Sequence, residues 1–116
     1  MESCSMTDRG LLEKAAKAAE IEWQHYHMKK GLCLADTPGA MSITQFWNPL
    51  TDDRDALRLV VKLRMSLDFY GIDNPQVEAN VLGHSACGHG SAPIDGDASE
   101  ATRRAIVRAA AAMGGA

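Results

Sequence analysis

Apolar and polar positions along this chain follow two different periods, and each change of period marks a predicted element. Apolar residues three and four positions apart recur in 7–20, 51–64 and 98–113, a spacing that predicts three α-helices with one buried stripe each. Alternation of apolar and polar residues occupies 65–70 and 76–82, which predicts two strands buried on one face. Helices and neighbouring strands in this order are typical of an α+β domain.

The predicted helices begin at residues whose side chains can accept hydrogen bonds from the unpaired amides of a first turn. Thr7, Thr51 and Asp97 stand at these positions, and Thr and Asp are common N-caps. Glu100 follows Asp97 at the spacing of a capping box. Gly114 is predicted to end the last helix, because glycine is favoured just after a helix C-terminus.

The two later helices each have a predicted buried stripe opposite a charged one. Pro49 excludes the residue before it from a helix, so the middle helix must begin after it. The stripe predicted to be buried in 51–64 comprises Leu57, Val60, Val61 and Leu63, opposite Arg54, Asp55, Arg58 and Lys62. The corresponding stripe in 98–113 comprises Ala105, Ile106, Ala109 and Met113.

The two alternating runs are predicted to pair as a hairpin, 65–82, because the turn-forming sequence GIDNP separates them. One face of the hairpin is apolar, and the other carries Asp68, Glu78 and Asn80. This alternation predicts a sheet with one wet face. The apolar face comprises Met65, Leu67, Phe69, Val77, Ala79 and Val81.

The remaining segments have weaker patterns. Residues 22–28, rich in aromatic residues and histidine, are predicted to form a strand, and a second short strand is possible within SITQFW, 42–47. Residues 83–97 have no periodicity and contain four glycines, so they are predicted to be a loop. The whole chain, 1–116, is therefore expected to be one α+β domain. Its mainly antiparallel sheet would have three or four strands, with three helices packed on it in a possible α-β-α layering.

Composition indicates the broad class of protein but does not indicate what reaction or ligand it has. The 116 residues suit one domain, and 46% hydrophobic and 23% charged residues are ordinary for a soluble globular protein. A net charge of −3 argues against binding to nucleic acid. The sequence has no apolar run long enough to span a membrane and no secretory signal at its start, so the expected location is the cytoplasm.

The stretch HSACGHG is the main candidate for chemistry. Three potential metal ligands fall within it: His84, Cys87 and His89. Cys33 or the pair His25 and His27 could complete a zinc shell, but the spacing matches no established zinc motif. A cysteine nucleophile with a histidine base is the enzymatic alternative, although flanking glycines do not favour fixed catalytic geometry. The prediction is an exposed loop, with no cofactor, no catalytic residue and three free thiols in the chain.

Three basic residues on the last helix are candidates for contacting a partner. Arg103, Arg104 and Arg108 lie opposite its buried stripe, where arginine can bind phosphate or an acidic protein. A solvated helix face is the alternative, and acidic residues just upstream, at 95, 97 and 100, dilute the positive field.

Three segments occur here in an order that resembles a known family. They are MTDRGLLEKAAKAA at 6–19, FWNPLTDDRDALRLVVKL at 46–63 and ATRRAIVRAAA at 101–111. Together they resemble the phage ABA sandwich domain family of small phage and prophage proteins. The resemblance implies a helix–sheet–helix layered fold and a phage or prophage origin, but no activity and no catalytic residue. Gly10 and Arg54 depart from the family, which usually has glutamate and glycine there.

The resemblance and the alternation of polar and apolar residues disagree about the sheet. A layered fold would cover both faces of the sheet with helices, whereas the alternation predicts one wet face.

For function, we expect a non-enzymatic accessory protein that acts in the cytoplasm of a bacterial host by binding, most simply to another protein. A metal-binding or nucleic-acid-binding regulator is the alternative. Exposed edge strands also make a homodimer plausible.

Overall fold

The predicted helices and the predicted hairpin are present in the structure, together with strands that the sequence did not predict. The structure, a computed structural model, describes residues 7–27, 30–34, 46–82 and 88–114. Within these residues it contains three α-helices and six β-strands, which confirms the α+β class. They are α1 (Asp8–Ala18), β1 (Trp23–His27), β2 (Gly31–Leu34), β3 (Phe46–Trp47), α2 (Asp53–Leu63), β4 (Met65–Tyr70), β5 (Gln76–Val81), β6 (His89–Pro93) and α3 (Ala98–Gly114).

The described strands form two antiparallel sheets instead of one. Sheet A has the order β1-β2-β3 and sheet B the order β4-β5-β6. The predicted hairpin is confirmed, since β4 pairs with β5 from Met65 opposite Val81 to Tyr70 opposite Gln76. The additional strands β2 and β6 come from segments that were not predicted to be strands.

The prediction of an uninterrupted loop over 83–97 is wrong for 89–93, which form β6. Residues 83–87 lie outside the described part of the chain. The buried positions of β6 are Gly90 and Ala92, which are too small to stand out as apolar positions. The helix α3 packs directly over them, so small residues here reflect close packing and not a loop.

Two of the three predicted helix caps are confirmed. The Thr7 hydroxyl oxygen accepts a hydrogen bond from the Gly10 amide at 3.1 Å. The Asp97 carboxylate accepts one from the Ser99 amide at 2.9 Å. Each satisfies an amide that has no partner inside its helix.

Thr51 was predicted to cap α2, and this is wrong, because the cap is Asp52. The Asp52 carboxylate accepts a hydrogen bond from the Arg54 amide at 2.9 Å. The carbonyl of Asn48 accepts from the amides of both Thr51 and Asp52, which closes a turn before the helix. This turn moves the start of α2 one residue further along the chain.

The buried face of α2 also differs from the prediction. Leu57 and Val61 are 62% and 69% exposed, whereas Leu59 is 2% exposed. Val60 and Leu63 are partly buried against the core. The predicted stripe is therefore confirmed in part for Val60 and Leu63, and it is wrong for Leu57 and Val61.

The helix α3 lies at the centre of the fold, between sheet B and α1. Its residues Ala105, Val107 and Ala109 are fully buried. Its last residue, Gly114, packs so closely on the backbone of Lys14 in α1 that an added Cβ would overlap the Lys14 carbonyl. On the inner face of sheet B, the predicted buried residues Val77, Ala79 and Val81 are all buried.

The outer face of sheet B is wet wherever it is described. Asp68 is exposed, and Glu78 and Asn80 are half-buried. This agrees with the alternation in the sequence. The sheet that the resemblance implies, with a helix layer on each face, does not match this part of the chain.

Candidate functional site

A groove opens between α2, β4 and the first half of α3, with a volume of about 440 Å³. Leu57 and Val60 line it from α2, Leu67 and Phe69 from β4, and Ile106 from α3. These side chains make the lining largely apolar. We call this feature the groove.

The groove is built by a very short connection between α2 and β4. Arg64 alone separates them, in the left-handed conformation with φ 53° and ψ 61°, and its amide donates to the Val60 carbonyl. The Arg64 carbonyl in turn accepts from the Leu82 amide at 3.0 Å. A non-glycine residue in this conformation costs about 1–2 kcal/mol. These two hydrogen bonds help to hold Arg64 in this conformation. As a result α2, which forms one wall of the groove, lies directly beside β4, which forms its floor.

Large apolar side chains on the groove remain exposed. Leu57 is 62% exposed and Phe69 58% exposed, and Val61 follows Leu57 by one helical turn. Clustered apolar side chains on a surface mark sites of interaction with other proteins. All three were predicted from the sequence to lie on buried faces. The missed signal is that the aliphatic residues of α2 spread over more than half of the helix circumference at 100° per residue, which is wider than one buried stripe requires.

The acidic and basic side chains of the α2 segment differ in their surroundings. Asp53 of α2 is paired with Arg103. Asp55 is half-buried and accepts a hydrogen bond from the Asn48 amide at 2.9 Å, and burial raises its pKa above the usual range for Asp. Two acidic residues of α2 are thus engaged within the fold. The basic side chains of the α2 segment are exposed and do not line the groove itself. We call them the basic rim: Arg54, Arg58, Lys62 and Arg64.

Arg103, a candidate for contacting a partner, connects α3 to the start of α2. Its Nε donates to the Leu50 carbonyl at 2.9 Å, and its Nη1 lies 2.6 Å from an Asp53 carboxylate oxygen. Only 16% of its side chain is exposed. These contacts favour a structural role for Arg103.

Arg104 and Arg108 also contact other elements of the fold. Arg104 reaches Asp8 at the start of α1 at 3.3 Å, and Arg108 donates to the Ser91 carbonyl of β6 at 2.7 Å. The three arginines therefore diverge to three different elements instead of forming one cationic patch. Their role in binding a partner stays a prediction.

We expect Arg103→Met to lower the free energy of unfolding by about 1–2 kcal/mol, because it leaves the Leu50 carbonyl and Asp53 without their donor. Arg104→Met is the matched control. Its ion pair is longer, and the Arg104 side chain is more exposed than that of Arg103, so we expect a loss below about 0.5 kcal/mol. Urea denaturation of both variants measures the difference. Equal losses would contradict the structural role assigned to Arg103.

Of the candidate metal ligands in HSACGHG, His84 and Cys87 lie outside the described residues. His89 lies on β6, with Nδ1 at 2.9 Å from the Asn80 side-chain oxygen and Nε2 at 3.8 Å from a Glu78 carboxylate oxygen. Its ring therefore lies against β5 on the outer face of sheet B. The prediction that this cluster does not bind a metal stays untested.

The other proposed ligands, Cys33 and the pair His25 and His27, belong to sheet A. His25 and Cys33 are opposite each other in the register of β1 and β2, and Cys33 is buried. Among the residues that the structure describes, no group of three or more His, Cys, Asp or Glu side chains could hold a metal ion.

His89 extends the polar face that the sequence predicted from Glu78 and Asn80 into a row of hydrogen-bonded side chains. The Asn80 amide donates to the Glu78 carboxylate at 3.1 Å, and the Tyr70 hydroxyl lies 3.5 Å from the same carboxylate. Cross-strand pairing of β4, β5 and β6 brings these residues together. The row lies on an open sheet face, whereas catalytic groups generally converge in a concave, water-excluding pocket. The groove is therefore the better candidate.

Two further findings concern membrane-spanning helices and the comparison with known proteins. No helix in the described ranges combines the length and apolar character needed to cross a membrane. Comparison with known proteins gives no match, whether with family models, with curated proteins or with solved structures.

Proposed function

We propose that this chain is a non-enzymatic accessory protein that acts by binding another protein, and that the groove is its docking site. The observation that carries the proposal is the exposure of Leu57 and Phe69 on the groove. A partner that covered these side chains would remove apolar surface from water, which favours association.

The partner that fits is an amphipathic helix with acidic residues beside its apolar stripe. Two helices, α2 and α3, border the groove, and a third helix can lay apolar side chains between them, three and four positions apart. Within the basic rim, Arg54 and Arg58 lie one helical turn before the exposed Leu57 and Val61. Acidic residues on the incoming helix would therefore meet opposite charge, which increases the association rate and selects the partner.

Two designed peptides of about 15 residues test this proposal. Both carry the same leucine stripe, one flanked by glutamate and the other by lysine. We expect the glutamate peptide to bind roughly tenfold more tightly, with NMR shift changes centred on Leu57 and Phe69. Equal affinities, or shift changes away from the groove, would argue against the proposed partner.

Leu57→Glu is expected to weaken binding of the glutamate peptide by about tenfold or more, because it removes an apolar contact and repels the peptide. Ile72→Glu is the matched control. Ile72 lies in the turn between β4 and β5 and is 98% exposed, so its loss should leave binding unchanged. Fluorescence anisotropy measures both affinities. If the two variants lose affinity equally, the peptide is binding nonspecifically.

The resemblance to the phage ABA sandwich family supports a proposal about the setting. Residues 46–63, its longest segment, include all of α2, which carries one wall of the groove. We propose that the protein is encoded by a phage or prophage and acts in the cytoplasm of its bacterial host. The neighbouring genes test this: phage replication or packaging genes beside it would support the proposal, and their absence would count against it.

A further inference from the structure

The strand β4 forms one edge of sheet B. The sheet order is β4-β5-β6, and no other described segment pairs with β4 on its outer side. The six residues of β4 pair with β5 without a register shift, so the strand is regular over its whole length. An edge strand of this kind presents a row of backbone N–H and C=O groups that can pair with another strand.

Natural edge strands usually carry features that prevent such pairing, and β4 lacks most of them. Its sequence, MSLDFY, contains no proline and no lysine, and its register shows no bulge. The strand β6 at the other edge contrasts with it, because β6 ends in Pro93 and has a glycine at position 90, beneath α3. The two edges of sheet B are thus protected to different degrees.

We infer that β4 pairs antiparallel with β4 of a second copy of this chain, about a two-fold axis at Leu67. The two copies of sheet B would then form one six-stranded sheet. In this register Met65 lies opposite the partner's Phe69, and Leu67 lies opposite the partner's Leu67. Apolar side chains therefore meet across the inner face, which covers part of the exposed Phe69.

The charges of β4 select this register over its neighbours. Inner-face residues of the two copies lie opposite each other only if the two-fold axis passes through a residue. The alternative registers therefore place the axis at a neighbouring residue of β4. An axis at Asp68 would set two carboxylates opposite each other, which is unfavourable. An axis at Ser66 would extend the pairing to Arg64, whose left-handed conformation ends the strand. An axis at Leu67 pairs all of 65–69 and sets Ser66 opposite the partner's Asp68.

This pairing does not rest on the proposed function. The groove is lined from the inner face by Leu67 and Phe69, whereas Ser66 and Asp68 lie on the outer face and are exposed. Substitutions at Ser66 and Asp68 therefore test the pairing and leave the side chains that line the groove unchanged. Failure of the peptide experiment and failure of this one are separate results.

Three variants of the full chain test the pairing by sedimentation equilibrium. We expect the unmodified protein to dimerise. Ser66→Asp places like charges opposite each other twice in the dimer, so it should raise the dissociation constant roughly tenfold. Ser66→Lys places opposite charges there and should lower that constant. The double variant S66D/D68K restores opposite charges and should dimerise at least as tightly as the unmodified chain.

Thermal unfolding at a concentration where the protein is monomeric controls for damage to the fold. The inference is overturned if the unmodified chain stays monomeric up to about 1 mM. It is also overturned if a dimer forms but Ser66→Asp and Ser66→Lys do not change its dissociation constant in opposite directions. Rescue in S66D/D68K, by contrast, identifies residues 66 and 68 as neighbours across the interface.

Discussion

Gly90→Ala is expected to destabilise the fold by about 3 kcal/mol, although it adds a single methyl group. A Cβ at position 90 would overlap the amide of Ala109 and the carbonyl of Ala105, and would lie 2.8 Å from the Arg108 Cβ. Backbone atoms cannot move aside by changing rotamer, so β6 and α3 would have to separate. Urea denaturation followed by circular dichroism measures the loss.

The same substitution at Gly10 is the control. Gly10 lies in the first turn of α1, where alanine is favoured over glycine by up to about 1 kcal/mol. We expect Gly10→Ala to stabilise the protein slightly, so the two variants should shift the denaturation midpoint in opposite directions. A loss below about 0.5 kcal/mol for Gly90→Ala would contradict the close packing of β6 on α3.

The close packing at Gly90 also explains why part of the fold could not be predicted. The hairpin of β4 and β5 was predicted correctly because Val77, Ala79 and Val81 alternate with polar residues. The strand β6 alternates in burial as well, but its buried positions carry only glycine and alanine. Hydrophobic periodicity detects a strand only when its buried side chains are large. Where backbones approach closely, the sequence instead resembles a loop.

The candidate site was missed for a different physical reason. An apolar residue on an amphipathic helix looks the same in the sequence whether it packs in the core or faces a partner, so Leu57 was assigned to the core. The arginines show the limit of local reasoning. Arg103 and Arg104 contact Asp53 and Asp8, which lie 50 and 96 residues away along the chain. Only the fold brings these charges together.

Leu59→Ala is expected to lower the free energy of unfolding by about 3 kcal/mol, within the range of about 2–5 kcal/mol for a buried leucine. Leu59 is 2% exposed and belongs to the core that also contains Ala56 and Ile106. Truncation removes apolar contacts and leaves a cavity that its neighbours can only partly fill. Urea denaturation, with the slope of the transition checked for two-state behaviour, gives the difference.

Leu57→Ala, two residues earlier on the same helix, is the matched control and should cost less than about 0.5 kcal/mol, because this side chain is already 62% exposed. The pair of variants therefore measures which face of α2 is turned toward the core. If Leu57→Ala proved the more damaging, α2 would be rotated to bury the stripe that the sequence predicts, and the groove would lose its exposed wall. With the expected order, Leu57→Ala should also weaken binding of the glutamate peptide in a protein of nearly unchanged stability, which separates the role of this residue in docking from any role in folding.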